Sequence, residues 1–399
     1  MAAPLEGKRV IDLAQGDGAP FCAMQLGDAG ADVVKVEPLE GDWARPLGPP
    51  FDHGDGPLFM GMNRNKRSIA LDIEQEAGRA ILRELVQRAD ILVQSFPNAA
   101  DAVRLGLDYE TVGATNPSLI VCDLSPLERE GPKADKPATD LVLQGIAGIT
   151  RFVGERGKEP LRFGTNYAGI TASLYAVQAI LAAEYWRRRS GLGQLVQTSY
   201  LRALIATQQN YFTSFSDPDA IRRGFYTAHL EPPARGYRTN DRSVEFTFAY
   251  ARDKNVVEHF FEAFGLADKL RADPRFAGRR LGVANQDELR PLIEEALHHR
   301  TCAEVLRTLE SLGCMCSPIH DYASMFHDQA VLEQQVVIEV QHPLRGTVNT
   351  TGLPWKLPAT PGVLRRAPPL LGEHTDEILA ELGYNLQQVQ SLRRTGVIA

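Results

Sequence analysis

The length, composition and charge of the chain are those of a globular protein larger than a typical single domain. It has 399 residues, of which 44% are hydrophobic and 23% charged, and its formal net charge is -7. This length suits two domains, or one large domain with a sizeable insertion. Because phosphate binding needs a basic surface, the acidic excess argues against nucleic acid as a partner.

The five cysteines show no metal-binding spacing. Only Cys314 and Cys316 lie close together, and no second pair or histidine cluster would complete a zinc site. We therefore expect reduced thiols in a cytoplasmic protein that holds no metal. The N-terminal residues lack the basic and apolar regions of a signal peptide. No apolar run approaches the roughly 20 residues of a transmembrane helix, so no membrane partner is expected.

The first 125 residues alternate strand-like and helical patterns. Four β-branched runs of strand length occupy residues 9–14, 31–37, 89–96 and 118–125. Between them, "PFCAMQLGDAG" and "EQEAGRAILRELVQRA" place apolar residues at helical spacing. Strands fed by helices predict a parallel sheet of the Rossmann type. The loop after the first strand has Phe21 where a dinucleotide motif needs its third glycine, so a nicotinamide cofactor is not expected.

Breakers and a change of pattern divide the rest of the chain. Residues 1–200 are predicted to form the first part of a large domain, residues 201–237 an irregular linker, residues 238–322 a small α+β domain, and residues 323–399 a return segment. In the small domain, "TCAEVLRTLESLG" opens with a capping box and closes at a glycine. The return segment is extended and proline-rich and ends in a last helix, "TDEILAELG".

One predicted helix stands out because its beginning lacks acidic residues. The stretch "LRFGTNYAGITASLYAVQAILAAEYWRRRSGLGQ" begins at Leu161, and no aspartate or glutamate occurs from Pro160 through Ala183. The apolar content from Leu174 onward predicts a buried helix. The three arginines at its end suit a helix C-terminus.

Long blocks of the sequence resemble the family III CoA-transferases, the CaiB/BaiF family, which includes formyl-CoA and crotonobetainyl-CoA transferases. These blocks are "LGDAGADVVKVEPLEGDWAR", "NRNKRSIALDI", "RLGLDYETVGATNPSLIVCDLS", "PATDLVLQGIAGIT", "RRRSGLGQLVQTSYL" and "APPLLGEHTDEILAELGYN". They cover essentially the whole chain. The resemblance implies an α/β fold with a Rossmann-type large domain from both chain ends, a small α+β domain, and an intertwined dimer of two linked rings.

The resemblance also implies a carboxylate relay. In the family, an aspartate attacks the acyl-CoA thioester to give a mixed anhydride, and the released CoA thiolate then forms an aspartyl-CoA thioester. The acceptor acid attacks next, and CoA moves on to it. A hydroxyl nucleophile would give an ester too stable to return CoA. A helix N-terminus favours the ionised carboxylate.

The position of that aspartate falls on Gly169 here, or on Ala168 if the loop shifts by one residue. Neither residue can attack a thioester, so the resemblance assigns no catalytic residue to this chain. Nearby side chains offer only hydroxyls or an amide, namely those of Thr165, Asn166, Tyr167 and Thr171. The nearest acids, Glu159 and Glu184, lie before the loop and about four turns along the helix.

Asp140 is the other acid beside a predicted helix. Family members carry it in addition to the nucleophile, which favours a helix-capping role. Related acyl-CoA racemases place a histidine just before this aspartate, and the chain has Thr139 there. The residues therefore argue against racemase activity.

The resemblance also implies which residues contact CoA, which would be a substrate because no tightly bound cofactor is expected. The candidate CoA-binding residues are Asp17, Gly18, Asn65, Lys66, Arg67, Phe96, Arg104 and Lys136. The alternative for Lys66 and Arg67 is a solvated basic face. The family's third CoA-binding block is changed to "SFPNAADAVRLG", and the glycine-rich loop expected near residues 222–233 is missing.

The missing aspartate predicts a non-catalytic subunit. Heteromeric family members, such as succinyl-CoA:(R)-benzylsuccinate CoA-transferase of anaerobic toluene degradation, contain one subunit of this kind, and the chain resembles it. Its partner would be a homologous catalytic subunit that carries the aspartate, with succinyl-CoA as donor and a dicarboxylate as acceptor. Two alternatives remain open: an active homodimer with an unrecognised nucleophile, and a pseudoenzyme that binds a CoA ester.

Overall fold

The computed structural model describes residues 2–48, 55–134, 136–153, 159–209, 236–248, 252–253, 255–274, 276 and 286–399. The chain divides into two compact units. The first, here called the sheet unit, comprises residues 1–150, 162–208 and 332–399. The second, the small unit, comprises residues 151–161 and 209–331.

A six-stranded parallel sheet forms the centre of the sheet unit. Its strands are β1 (Arg9–Asp12), β2 (Asp32–Glu37), β3 (Lys66–Ala70), β4 (Ile91–Gln94), β5 (Ile120–Ser125) and β6 (Leu195–Ser199). Their order is β3-β2-β1-β4-β5-β6, with every neighbouring pair parallel. This is the strand order of the Rossmann fold, which confirms the predicted class. The four predicted strands are present, whereas β3 and β6 were not predicted as strands.

The described residues up to residue 206 form eight helices. They are α1 (Ala19–Asp28), α2 (Pro57–Met60), α3 (Glu76–Gln87), α4 (Ala99–Leu105), α5 (Tyr109–Thr115), α6 (Asp140–Ile146), α7 (Tyr167–Ser190) and α8 (Tyr200–Ala206), with a 3-10 turn at Ile149–Phe152. The two predicted helices correspond to α1 and α3. Helix α8 forms where the sequence predicted irregular linker, because Ser199 caps it by accepting a hydrogen bond from the Arg202 N–H.

The C-terminal segment completes the sheet unit. It contains a hairpin of β10 (Val337–His342) and β11 (Gly346–Thr351), then α15 (Thr375–Leu382) and α16 (Leu386–Arg394). Helix α15 ends at Gly383, the glycine at which the sequence predicted its end, and this residue is left-handed. The prediction that α15 is the last helix was wrong, since α16 follows with its own capping box. Leu71 and Ile398 form an isolated antiparallel bridge beyond the end of β3.

The small unit combines an antiparallel sheet with short helices. The strands are β7 (Tyr237–Arg238), β8 (Ser243–Thr247) and β9 (Met315–Pro318), in that order. The helices are α9 (Val256–Ala263), α10 (Ala267–Ala272), α11 (Gln286–His298), α12 (Cys302–Ser311) and α13 (Tyr322–Met325); α14 (Gln329–Glu333) lies at the boundary of the two units. The capping box predicted between Thr301 and Glu304 is present at the start of α12. Phe246 and Phe260 centre an apolar core of this unit's own.

The apolar core of the sheet unit is assembled from distant parts of the chain. Ile11 of β1, Leu92 of β4 and Val121 of β5 pack with Ile378 of α15 and the C-terminal Ile398. Burial of such side chains contributes roughly 1.5–3 kcal/mol each. Among the described residues, no helix is long and apolar enough to cross a membrane.

Candidate active site

The site implied by the sequence lies at the first turn of α7. This helix begins at Tyr167, so Gly169 is its third residue, and it is buried. A Cβ atom added to Gly169 would lie 2.7 Å from the Cα of Gly18 and 2.9 Å from the carbonyl oxygen of Asp17. Both contacts are with backbone, which cannot move aside as a flexible side chain can. The loop after β1 therefore occupies the space that any side chain at position 169 would need.

Two side chains hold this loop against the helices. The Ser173 hydroxyl of α7 donates a hydrogen bond to the Gly18 carbonyl at 2.9 Å, and the Ala19 N–H donates to the Tyr200 hydroxyl at 2.9 Å. A Cβ on Gly18 would in turn meet the Cα of Gly169 at 2.7 Å and the Tyr200 hydroxyl at 2.8 Å. The two glycines thus allow the backbones of α7 and the loop to touch.

Asp140 binds the entrance of α7 as well. It is the first residue of α6, and its Oδ1 accepts the N–H of Ala168 at 2.7 Å. The Gln144 amide donates to the other carboxylate oxygen at 2.5 Å and accepts the N–H of Phe163 at 2.9 Å. Asp140 therefore caps α7 across space, in addition to lying in the first turn of its own helix.

Asp17 is a second carboxylate beside the α7 entrance. Burial raises the pKa of its carboxyl group, and the charges of Asp140 and Asp42 raise it further. The side chain is half-buried. Asp17 is the one predicted CoA-contacting residue with a carboxylate, and its backbone carbonyl lies beside position 169.

The acids considered as substitutes are placed differently. Glu184 is buried near the other end of α7 and pairs with Lys8 at 3.0 Å and with Arg187. These cations lower the pKa of its carboxyl group against the opposing effect of burial. Glu159 is exposed in the small unit. The Thr171 hydroxyl is also engaged, because it donates to the Tyr167 carbonyl within α7 at 2.6 Å.

Lys66 and Asn65 lie in the interior of the sheet unit. The ammonium group of Lys66 donates to Asp12 Oδ2 at 2.7 Å, to the Pro20 carbonyl at 2.8 Å and to Asn63 Oδ1 at 2.7 Å. Burial lowers the pKa of Lys66 to about 8. The Asn65 amide group bridges Asp28, the Val363 carbonyl and the N–H groups of residues 365 and 366. Neither side chain presents an exposed surface to a ligand as placed here.

Arg67 binds carboxylates of the chain itself. Its guanidinium pairs with Asp32 at 2.7 Å, with Glu377 at 3.0 Å and with Glu381 at 2.6 Å. These partners hold the pKa of Arg67 above its ordinary value against the opposing effect of burial. The arginine therefore ties α15 to β2 and β3. The sequence alternative of a solvated basic face does not describe Lys66 or Arg67, because both are buried.

Phe96 and Arg104 line a common cavity of about 390 Å³. The cavity lies where β1, β2, β3 and β4 end, at the edge of a parallel sheet at which ligands usually bind. Gln15 of the loop after β1 also contributes. Lys136 is exposed in the segment before α6 and does not belong to the residues that line this cavity. Residues 222–233, where the family's glycine-rich loop is missing from the sequence, lie outside the described residues.

A buried ionic network behind the β1 loop was not predicted from the sequence. Lys35 of β2 pairs with Asp42 at 2.8 Å and donates to the Ala14 carbonyl at 2.7 Å. Glu37 accepts two hydrogen bonds of 2.7 Å from Arg45. The alternation "KVE" at the end of a β-branched run was the available signal, because charges inside a buried strand need partners. The network fixes the loop that meets Gly169.

Helix α7 is only half buried, which corrects the prediction of a buried helix from Leu174 onward. One face contacts α1, α8 and the sheet, as Ala176, Ile180 and Ala183 show. The opposite face is apolar and exposed in the described chain. It consists of Leu174, Tyr175, Leu181, Tyr185 and Trp186, here called the outer face of α7. Helix α6, which packs on α7, adds exposed Leu141, Val142 and Ile146.

These features define an α/β protein of the Rossmann class with a second, smaller unit and a buried helix entrance at the carboxyl edge of its sheet. The sequence model of CoA-transferase family III matches residues 5–375, and the chain belongs to this family.

Similar proteins agree with this assignment over most of their lengths. Human succinyl-CoA:glutarate CoA-transferase is 28% identical, covering 99% of this chain and 90% of that protein. The beta subunit of succinyl-CoA–L-malate CoA-transferase from Chloroflexus aurantiacus is 29% identical, covering 99% and 98%. The crystal structure of a CAIB/BAIF family protein from Brucella suis superimposes with a TM-score of 0.84 at 29% identity, covering 96% of this chain and 100% of that one.

Proposed function

We propose that this chain is the subunit without a nucleophile in a heteromeric CoA-transferase, and that a homologous subunit supplies the attacking aspartate. The observation on which this depends is the contact between Gly169 and Gly18. Position 169 lacks a carboxylate, and the surrounding backbone leaves no space for one, since a Cβ would lie 2.7 Å from the Gly18 Cα.

The engaged state of the nearby acids supports the same conclusion. Asp140 already binds Ala168 and Gln144, and Glu184 binds two cations at the other end of α7. A nucleophile needs a carboxylate oxygen free to reach the thioester carbon. Asp140 would lose the cap of α7 if it attacked, and Glu184 lies near the wrong end of the helix.

The outer face of α7 supports a partner subunit. Tyr185 and Trp186 are 66% and 53% exposed, and monomeric proteins seldom expose adjacent large apolar side chains. We expect this face to be covered in an intertwined dimer whose second chain is the catalytic homologue. The beta-subunit name of the Chloroflexus relative is consistent with paired chains.

The choice of substrates follows the names of the relatives. The human relative is named as a transferase between succinyl-CoA and glutarate, and the Chloroflexus one as a transferase between succinyl-CoA and L-malate. We propose succinyl-CoA as donor and a dicarboxylate, such as benzylsuccinate, as acceptor. In this pair CoA would move through the partner's aspartyl thioester while the present chain completes the assembly.

Trapping of the covalent intermediate tests the proposal. The purified chain is incubated with succinyl-CoA, quenched with borohydride or hydroxylamine, and analysed by intact and peptide mass spectrometry. We expect no modified acid in this chain alone. After mixing with an aspartate-bearing homologue, the modification and the transferase activity should appear on the homologue. The same homologue with its aspartate changed to asparagine is the control.

A second candidate is an autonomous transferase that uses Asp17, because Asp17 lies beside the α7 entrance with a raised pKa. In that case, the chain alone would be modified on the peptide that contains Asp17, and the D17N variant would lose the modification. Modification of the native chain that is lost in D17N would refute the non-catalytic role. Stoichiometric binding of an acyl-CoA without transfer in any mixture would favour a pseudoenzyme instead.

A further inference from the structure

The cavity at the carboxyl edge of the sheet has the location of a nucleotide site but not its charge. The segments that follow β1, β2, β3 and β4 line it. Rossmann-type sheets bind the nucleotide part of a ligand at this edge. Its volume of about 390 Å³ is large enough for part of such a ligand.

Carboxylates dominate the lining. Five acids contribute, namely Glu37, Glu40, Asp72, Glu74 and Asp101, and Arg104 is the sole cationic residue of the lining among the described residues. Glu37 is neutralised by Arg45, which lies behind the cavity wall. The other four carboxylates outnumber the single guanidinium.

Arg104 is already occupied by two of these acids. Its Nη1 and Nη2 atoms lie 2.6 Å and 2.9 Å from the two oxygens of Glu74, and Nη2 lies 3.3 Å from Asp101. The bidentate pair lowers the pKa of Glu74, so this group is charged at neutral pH. The arginine predicted to contact CoA therefore offers little net positive charge to a phosphate.

The nucleotide end of CoA does not fit this surface. It has a pyrophosphate and a 3'-phosphate, and a phosphate monoester alone carries about -1.5 to -2 charges at pH 7. Asn98, at the start of the nearby α4, uses its side-chain oxygen to bind the Asp101 N–H within the chain. Phe96 can contact an adenine ring, but no free cation of the described lining offsets the phosphates.

We propose that the Glu74–Arg104–Asp101 cluster excludes the nucleotide end of CoA from this chain, so that CoA enters the heteromer only in the partner subunit. The inference builds on the proposed non-catalytic role. It predicts one bound CoA for each pair of chains. Glu74 acts here as a specificity-determining residue, because its carboxylate cancels the charge that Arg104 would otherwise offer to a phosphate, which leaves the other carboxylates of the lining in excess.

Calorimetric titration of the full chain with CoA and with dephospho-CoA tests the cluster. The native chain should show no saturable CoA binding at millimolar concentration. The E74Q variant should bind CoA at least about tenfold more tightly, as expected for removing one charge several ångströms from a group with several charges. The gain should be smaller for dephospho-CoA and should disappear in E74Q combined with R104Q.

Glu76→Gln is the matched control. Glu76 is also an exposed acid paired with arginines, Arg79 and Arg83, and it lies outside the cavity lining. The E76Q variant changes the net charge by the same amount and should leave CoA binding unchanged. Because Glu40 is an exposed residue of the lining, E40Q provides a second variant that does not disturb the Glu74 pair.

Two results would overturn the inference. One is saturable CoA binding by the native chain, or two CoA molecules for each pair of chains in native mass spectrometry. The other is a failure of both E74Q and E40Q to bind CoA more tightly than E76Q. Neither result depends on whether the chain is acylated by succinyl-CoA, so the outcome is separable from the test of the proposed function.

Discussion

Gly169 is the residue on which the proposed function depends, and its environment makes a steric prediction. Changing Gly169 to Asp restores the family's residue type but places a Cβ against the backbone of residues 17 and 18. We expect a loss of about 1–3 kcal/mol in the free energy of unfolding, typical of added atoms in a packed interior. Urea unfolding measures this loss, and we expect no aspartyl thioester in the isolated variant.

Gly145 provides the control for that substitution. It is an exposed residue of α6, and a Cβ there would meet no atom within 4 Å. G145A should be neutral or stabilising by up to about 1 kcal/mol, because alanine is the better helix former. Equal destabilisation of G145A and G169D would contradict the steric explanation.

Asp17 predicts a pH effect. Burial raises the pKa of its carboxyl group in the folded chain above the ordinary 3.8. The ionised carboxylate therefore destabilises the fold at pH values above 3.8. D17N removes this penalty and should raise the thermal midpoint at pH 7. The advantage should shrink as the pH falls and should disappear below 3.8, where the native carboxyl is protonated in both the folded and the unfolded chain.

At the scale of a whole element, the outer face of α7 leads to a prediction about association with the partner subunit. Leu181 lies on its outer face and is 45% exposed in the single chain. L181E should leave the thermal midpoint of the isolated chain nearly unchanged, but it should weaken co-purification with the catalytic homologue by at least about tenfold, since a charge would be buried.

A matched substitution distinguishes an interface from a general effect. Leu386, the first residue of α16, is 78% exposed in the same unit. L386E should neither destabilise the chain nor affect association. Unimpaired association of L181E would show that the outer face of α7 is not the partner surface.

Among the helices and strands, the sequence predicted those in which a single local residue pattern dominates. β1, β2, β4 and β5 are short runs rich in β-branched residues, and α12 has an explicit capping box. β3 was missed because "KRSIA" begins with two charged residues whose burial requires partners on other elements, Asp12 for Lys66 and Asp32 for Arg67. α16 was missed because "LQQVQSLRR" buries only Val389.

The candidate site was predictable only in part for the same reason. Alignment of the helix identified Gly169, but the closure of the space beside it by Gly18 depends on packing between segments about 150 positions apart. Arg104 could be identified as a basic residue, whereas its neutralisation by Glu74 depends on the fold around α4 and β3. Sequence patterns report residue types, and such long-range pairings decide what those residues can do.

Each of the two units has an apolar core of its own among the described residues, and the positions of the tryptophans make the two cores separately observable. The three tryptophans are Trp43, Trp186 and Trp355, and all belong to the sheet unit. Tryptophan fluorescence therefore reports unfolding of that unit, whereas far-ultraviolet circular dichroism reports both units. Ile398→Ala, at the C-terminus, removes a buried side chain that packs with strands formed by the first 125 residues.

We expect I398A to destabilise the sheet unit by about 2–5 kcal/mol, the usual cost of such a deletion in a core. The fluorescence midpoint in urea should fall accordingly. Phe260→Ala deletes a central side chain of the other core and should lower the dichroism midpoint of the small unit while shifting the fluorescence midpoint much less. If both variants shift both signals equally, the chain unfolds as one cooperative unit, and the two cores are coupled in stability although each is built from its own residues.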